Sequence, residues 1–146
     1  MPETMSAAHA LAQQLLAYEV AQGLPAEPVG QAAVRACDTL RGAVVRFAGG
    51  AGFHSLLGRA LTLAQRDVPW LGAVTVTAEG ALAGFAEAAQ GQDPAAVTAG
   101  GQALLGHVLG LLHTFIGDAL TLRLLADGWP ASFLDTSPPG TQETPR

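Results

Sequence analysis

Apolar residues recur at helical spacing along most of this chain. From Ser6 to Val20 they fall on one face, at Ala8, Leu11, Ala12, Leu15 and Leu16, which predicts a first helix with Ser6 as its N-cap. Gly23, Pro25 and Pro28 close it, because proline cannot continue a helix interior. A second helix is predicted from Val29 to Ala48, with Val34, Cys37, Leu40 and Val44 on its inner face. A third follows from Phe53 to Asp67, turning Phe53, Leu56, Leu57, Ala60, Leu61 and Ala64 inward, and Pro69 ends it. The small residues Gly49 to Gly52 between the two predict a tight helix-to-helix turn, since glycine tolerates positive φ without steric cost.

The pattern then changes. Ala73 to Thr77 alternate, Ala78-Glu79-Gly80 is a turn signal, and Ala81 to Phe85 return as a partner strand, which predicts a short hairpin leaning on the helices. Asp93-Pro94 pairs an N-cap acid with a proline at the first helical position, so a long helix is predicted from there to Ala126 or Asp127. Gly128 is its C-terminal stop, with Pro130 beyond. Past Asp135 there is no apolar period and much proline. These elements predict a mostly all-α domain over 1–130, a four-to-five-helix bundle with a short β-hairpin between helices three and four, followed by a disordered tail over 131–146.

The long helix admits three readings: a membrane span, a histidine-bearing cofactor helix, or a bundle core. Between Pro94 and Asp118 lies an uncharged run of 23 residues, long enough to cross a bilayer, and Gly106 and Gly110 carry the spacing that lets membrane helices approach closely. Against a span, residues 95–103 are small and polar rather than greasy, His107 and His113 would lie deep in lipid, and no arginine cluster flanks the run. The bundle explains more. Leu104, Val108, Leu111, Phe115 and Leu122 form one apolar stripe, and Leu105, Leu109, Leu112, Ile116 and Leu120 the adjoining one, so the helix needs neighbours on several sides. Gly106, Gly110, Gly117 and Thr121 make a narrow small-residue strip for another helix or a second protomer. The five glycines between Gly100 and Gly117 need such a tertiary reason or mark a kink, because each costs up to about 1 kcal/mol of helix stability against alanine.

Composition narrows the chemistry. A chain of 146 residues fits one domain that can bury a core unaided. All seven basic residues are arginine and the formal net charge is -5, which argues against nucleic-acid binding. A single cysteine, Cys37, and no secretory pattern at the start lead us to expect a reducing, cytoplasmic setting, with Cys37 as a buried small hydrophobe. His107 and His113 point about 120° apart on a helix and cannot share one metal face, and His9 and His54 lie on other elements, so no metal or cofactor site is expected. Gly49 to Gly52 lack both the Walker lysine and the Rossmann glycine spacing. Asp118 is the first charge after the neutral run; if buried it requires an arginine from another helix, Arg41 or Arg59. His113, Thr114 and Asp118 are the candidate pocket residues, but no nucleophile, base or second carboxylate accompanies them, so no catalytic residue is assigned. Five of the seven arginines, Arg35, Arg41, Arg46, Arg59 and Arg66, fall on the second and third helices. They make a solvated or ion-paired face, or else the place for an acidic protein partner. Candidate interaction residues are therefore Arg35, Arg46, Arg59 and Arg66 together with the glycine strip.

The stretches LLAYE, RACDTLR, GGAGFHSLLGRAL, VPWL, TFIGDALTLRLL and GWP resemble signatures of a family of small uncharacterised bacterial helical proteins, over most of the chain up to Pro130. The resemblance implies a bacterial origin and a recurring architecture, and carries no activity or catalytic residues. The expected function is that of a small soluble accessory or regulatory module acting through helix packing with itself or a protein partner. The alternatives are a membrane-associated protein using the 104–125 helix, and a small-ligand-binding bundle.

Overall fold

Helices dominate the architecture, and a two-stranded hairpin is the one departure among the described residues. The structure is a computed structural model and describes residues 3–22, 29–126 and Trp129. The expected Gly128 stop and the tail over 131–146 lie outside those residues. Helix α1 spans Glu3–Gln22, α2 Val29–Asp67, α3 Phe85–Gln90 and α4 Pro94–Ala126, with a 3-10 turn at Pro69–Ala73 and strands β1 (Thr75–Val76) and β2 (Leu82–Ala83) between α2 and α3. Helix α1 starts at Glu3, so Ser6 lies inside it rather than capping it. The α4 start is as expected: Asp93 Oδ1 accepts the Ala96 amide at 2.8 Å, and Pro94 opens the first turn. The hairpin pairs Thr75 with Ala83 and Val76 with Leu82 in antiparallel register. Phe85, expected in the returning strand, instead begins α3 and lies buried edge-on to Trp70, ring centroids 5.6 Å apart.

Two long helices are broken by one glycine each. In α2 the break is Gly49, at φ 82° and ψ 166°. In α4 it is Gly117, at φ 84° and ψ 169°. Both lie in a region of backbone space open almost exclusively to glycine, so each helix is two arms joined at a corner. The expected single long helix is thereby corrected: α4 runs straight only from 94 to 116.

The two bent helices repeat one plan. Counted from the corner glycine, Ala32, Ala33, Ala36, Cys37, Leu40 and Val44 are buried in α2, and Gly100, Gly101, Leu104, Leu105, Val108 and Leu112 are buried at the matching positions of α4. Beyond the corner, Phe53, Leu56 and Leu57 match Thr121, Leu124 and Leu125, again all buried. Matching positions also meet in space: a Cβ built on Gly101 would sit 3.1 Å from Ala33 Cβ. Val44, Phe47 and Ala48 likewise line one cavity with Leu112, Phe115 and Ile116, so the first arms run parallel, like position beside like position.

Other elements cover this pair. Helix α1 lies antiparallel to the first arm of α4, where Leu16 meets Gly101 and His9 and Ala12 meet Gly106. The second arm of α2 also packs there: Trp70 just beyond its end lies against Gly100, where any Cβ would be 2.5 Å from the indole, and Asp67 reaches His107 Nε2 at 2.9 Å. Gln65 ties down the connection that follows by donating to the carbonyls of Leu71 (3.1 Å) and Val74 (3.4 Å). At the far end of α1, buried Glu19 accepts Nε of Arg35 at 2.8 Å and Nε1 of Trp129 at 3.0 Å, while Arg35 also donates to the Glu19 carbonyl. Trp129 thus sits level with the C-terminal part of α1, so beyond Gly117 the chain turns back toward the end from which α4 began. By length and composition α4 is apolar enough to cross a membrane, with mean hydropathy 1.5 over its richest window, of which 39% is buried against the rest of the fold.

Candidate functional site

Only three large apolar side chains stand exposed among the described residues, and two of them flank one groove. Phe47 (50% exposed) and Phe115 (64%) each lie two residues before a corner glycine, on the matched arms of α2 and α4. Between them opens a cavity of about 360 Å³ lined by Val44, Phe47, Ala48, Gly52, Ser55, Leu56, Arg59, Leu112, Phe115 and Ile116. Three matched pairs contribute: Val44 with Leu112, Phe47 with Phe115, and Ala48 with Ile116. The remaining residues all come from the second arm of α2. Their counterparts on α4 that are larger, Leu120 and Arg123, stand where α2 has Gly52 and Ser55. The groove is the volume that those small residues leave open.

Its electrostatics are simple. Ser55 and Arg59 bring the polar side chains, one helical turn apart on the same face. Arg59 is exposed and forms no ion pair with any other described residue. Such an arrangement binds by excluding water from apolar surface and fixing one negative charge. It contains no nucleophile paired with a base.

The other expected positions are distributed as follows. Gly106 and Gly110 are buried, and Gly106 is packed against α1 of the same chain. Gly117 departs from the expected strip: it is an exposed corner with nothing within 4 Å of a built Cβ. Thr121 is buried beyond that corner and donates to the Gly117 carbonyl at 2.8 Å. Arg35 is engaged by Glu19, Arg46 and Arg66 are exposed, and Arg59 alone of the named arginines lines the groove.

The expected pocket residues, His113, Thr114 and Asp118, do not line the corner groove. Thr114 is exposed and bonds back to Gly110 O at 3.0 Å. Asp118 is 81% exposed and needs no buried arginine; it approaches His113 rather than Arg41 or Arg59. Nδ1 of His113 stands 2.5 Å from Asp118 Oδ1, out of hydrogen-bond alignment, so both buried ring nitrogens go without a hydrogen-bond partner. Phe115, expected on an inward stripe, faces out at the last turn before the corner. Cys37 is buried as expected, and burial, reinforced by neighbouring Asp38, pushes its thiol up to about 12. Among the described residues no three His, Cys, Asp or Glu side chains gather into a metal-binding cluster.

A second cavity of about 330 Å³ lies at the opposite end, between the start of α2 and the α3–α4 connection, with Gly30, Ala89 and Val97 in its wall and Gln31, Gln90 and Gln92 among its lining. It holds no ionisable group. No family model, curated protein or solved structure matches the chain.

Proposed function

We propose that this protein is a small helical interaction module that acts by binding, and that it receives an apolar segment of a partner protein in the corner groove. The observation that carries this is the placement of Phe47 and Phe115 on either side of one apolar cavity, exposed at cost to solubility while most other large apolar side chains are wholly or partly covered. Aromatic anchors beside a desolvated pocket are the anatomy of a binding hot spot. The glycine strip supports the same division of labour: its Gly106 face is occupied by α1, so the surface left for a partner is at the corners.

The test is site-specific photocrosslinking in cells that carry the native gene. A benzophenone side chain replacing Phe47 or Phe115 is expected to give the same discrete protein adduct from both sites, and none from exposed Gln13 on α1. Absence of adducts at the groove, or one indistinct set at all three positions, would overturn the proposal.

A further inference from the structure

The chemistry of the occupant can be taken further, resting on the reading of the groove as a protein-docking site. We infer that the groove accepts an acidic amphipathic helix, which places an aliphatic side chain over Gly52 and a carboxylate on Arg59.

The repeat supplies the first half of the argument. Position for position from the corner, α4 carries Leu120 and Arg123 where α2 carries Gly52 and Ser55. One bent helix therefore furnishes from its own sequence a leucine-sized apolar side chain that the other lacks. The surrounding walls, Val44, Leu56, Leu112 and Ile116, are aliphatic, and an aliphatic side chain entering beside Gly52 would cover them from water. The backbone of Gly52 is ordinary helix, so its glycine serves space rather than conformation.

Charge supplies the second half. Arg59 borders the groove without an ionic partner among the described residues, and the groove contains no carboxylate. A partner carboxylate is the complement of that guanidinium, and Arg is suited to hold it bidentately. Shape selects a helix. The groove runs between two helical arms and its aromatic rim is half or more exposed, whereas a small-molecule site encloses most of its ligand. An amphipathic helix offers anchors at i, i+3 and i+4 to fill such a trough while leaving its outer face in water.

The inference is tested on the full chain by fluorescence anisotropy with two synthetic amphipathic helical peptides. They share leucines at i, i+3, i+4 and i+7 and differ only in carrying glutamate or lysine on the polar face. The glutamate peptide is expected to bind about tenfold or more tightly than the lysine peptide. Gly52→Leu, whose Cβ would lie 3.1 Å from Ala48 Cβ so that this neighbour must give, and Ser55→Leu, one turn on along the same wall, are each expected to abolish that binding by filling the groove from within. Arg59→Gln leaves the fold untouched and is expected to erase the preference between the peptides. Equal binding of both peptides, binding of neither, or binding of the glutamate peptide unchanged by Gly52→Leu overturns the inference. So does capture of the chain by phosphatidylglycerol vesicles in place of peptide. If photocrosslinking at Phe47 and Phe115 still yields a discrete protein adduct while the peptides are not distinguished, protein docking stands and the acidic helix falls; if both fail, both fall.

Discussion

The bent helices α2 and α4 share a corner, yet they meet water differently. Each turns on a glycine with almost the same dihedral angles, each places a phenylalanine two residues earlier, and each buries matching positions on both arms. The second arm of α4 carries Leu120 and Arg123 close to the corner; that of α2 carries Gly52 and Ser55 there and leaves a groove. The coverings differ as well. Helix α1 seals the first arm of α4, whereas shorter pieces, the hairpin turn and α3, cover α2, with Phe85 against Gly30 and the turn at Gly80 against Phe53 and Arg41. The backbone plan is therefore held in duplicate while the side chains near one corner are smaller, and an open apolar groove lies there.

The largest effect should come from the buried pair Phe53 and Thr121, which occupy matching positions after the two corners. Phe53→Ala is expected to cost about 3–5 kcal/mol, since it empties the centre of the α2 hairpin. Thr121→Ala, losing a methyl and the bond to Gly117 O, should cost only about 1–2 kcal/mol. Chemical denaturation of the two variants measures both, and equal losses would mean that the matched positions do not divide their burden this way.

The corners themselves come next. Gly49→Ala and Gly117→Ala each force a Cβ into a region reserved for glycine, at about 1–3 kcal/mol apiece. Neither Cβ would meet any atom within 4 Å, so the penalty is purely conformational and should be nearly the same at both sites. Unequal melting temperatures would break the equivalence of the corners.

The smallest effect at neutral pH concerns Cys37, whose match on α4 is Leu105. Burial pushes the thiol up from 9.0 to about 12 in the folded chain. Below the ordinary thiol range it is neutral in both states and adds no pH dependence. Above that range the unfolded chain releases a proton that the folded chain retains, so stability falls as pH rises toward 12, by about 1.4 kcal/mol per unit at most. Cys37→Ala should flatten that part of the alkaline profile, and the native thiol should react with a maleimide at pH 8 only through unfolding. A fast native reaction would show that this arm is opened more easily than its α4 counterpart.

The sequence made much of the fold legible. Helical period marked every long arm, Asp93-Pro94 marked the start of α4, and alternation with a turn signal marked the hairpin. The Gly117 corner was hidden because α4 is apolar over most of its circumference, so no change of phase announces the break, and Gly117 resembled the packing glycines before it. Phe115 looked like core for the same reason. In the groove, Arg59 was among the named arginines, but Phe47 and Phe115 were missed, since exposure depends on what neighbouring helices fail to cover. The available signal was repetition: Phe47-Ala48-Gly49 against Phe115-Ile116-Gly117, Gly42 against Gly110, and the leucine pairs 56–57 and 124–125 at the same step.

The bond from Trp129 to Glu19 has a consequence in the time order of synthesis. Arg35 emerges from the ribosome soon after Glu19, yet the indole that completes the hydrogen bonding of Glu19 is made 110 residues after it. Helix α1 can meet the first arm of α2 during translation but cannot be fastened until the second arm of α4 has come back to it. Helix α1 is thus made before the partner that secures it, and during that interval its leucine face must wait uncovered or be shielded by other proteins.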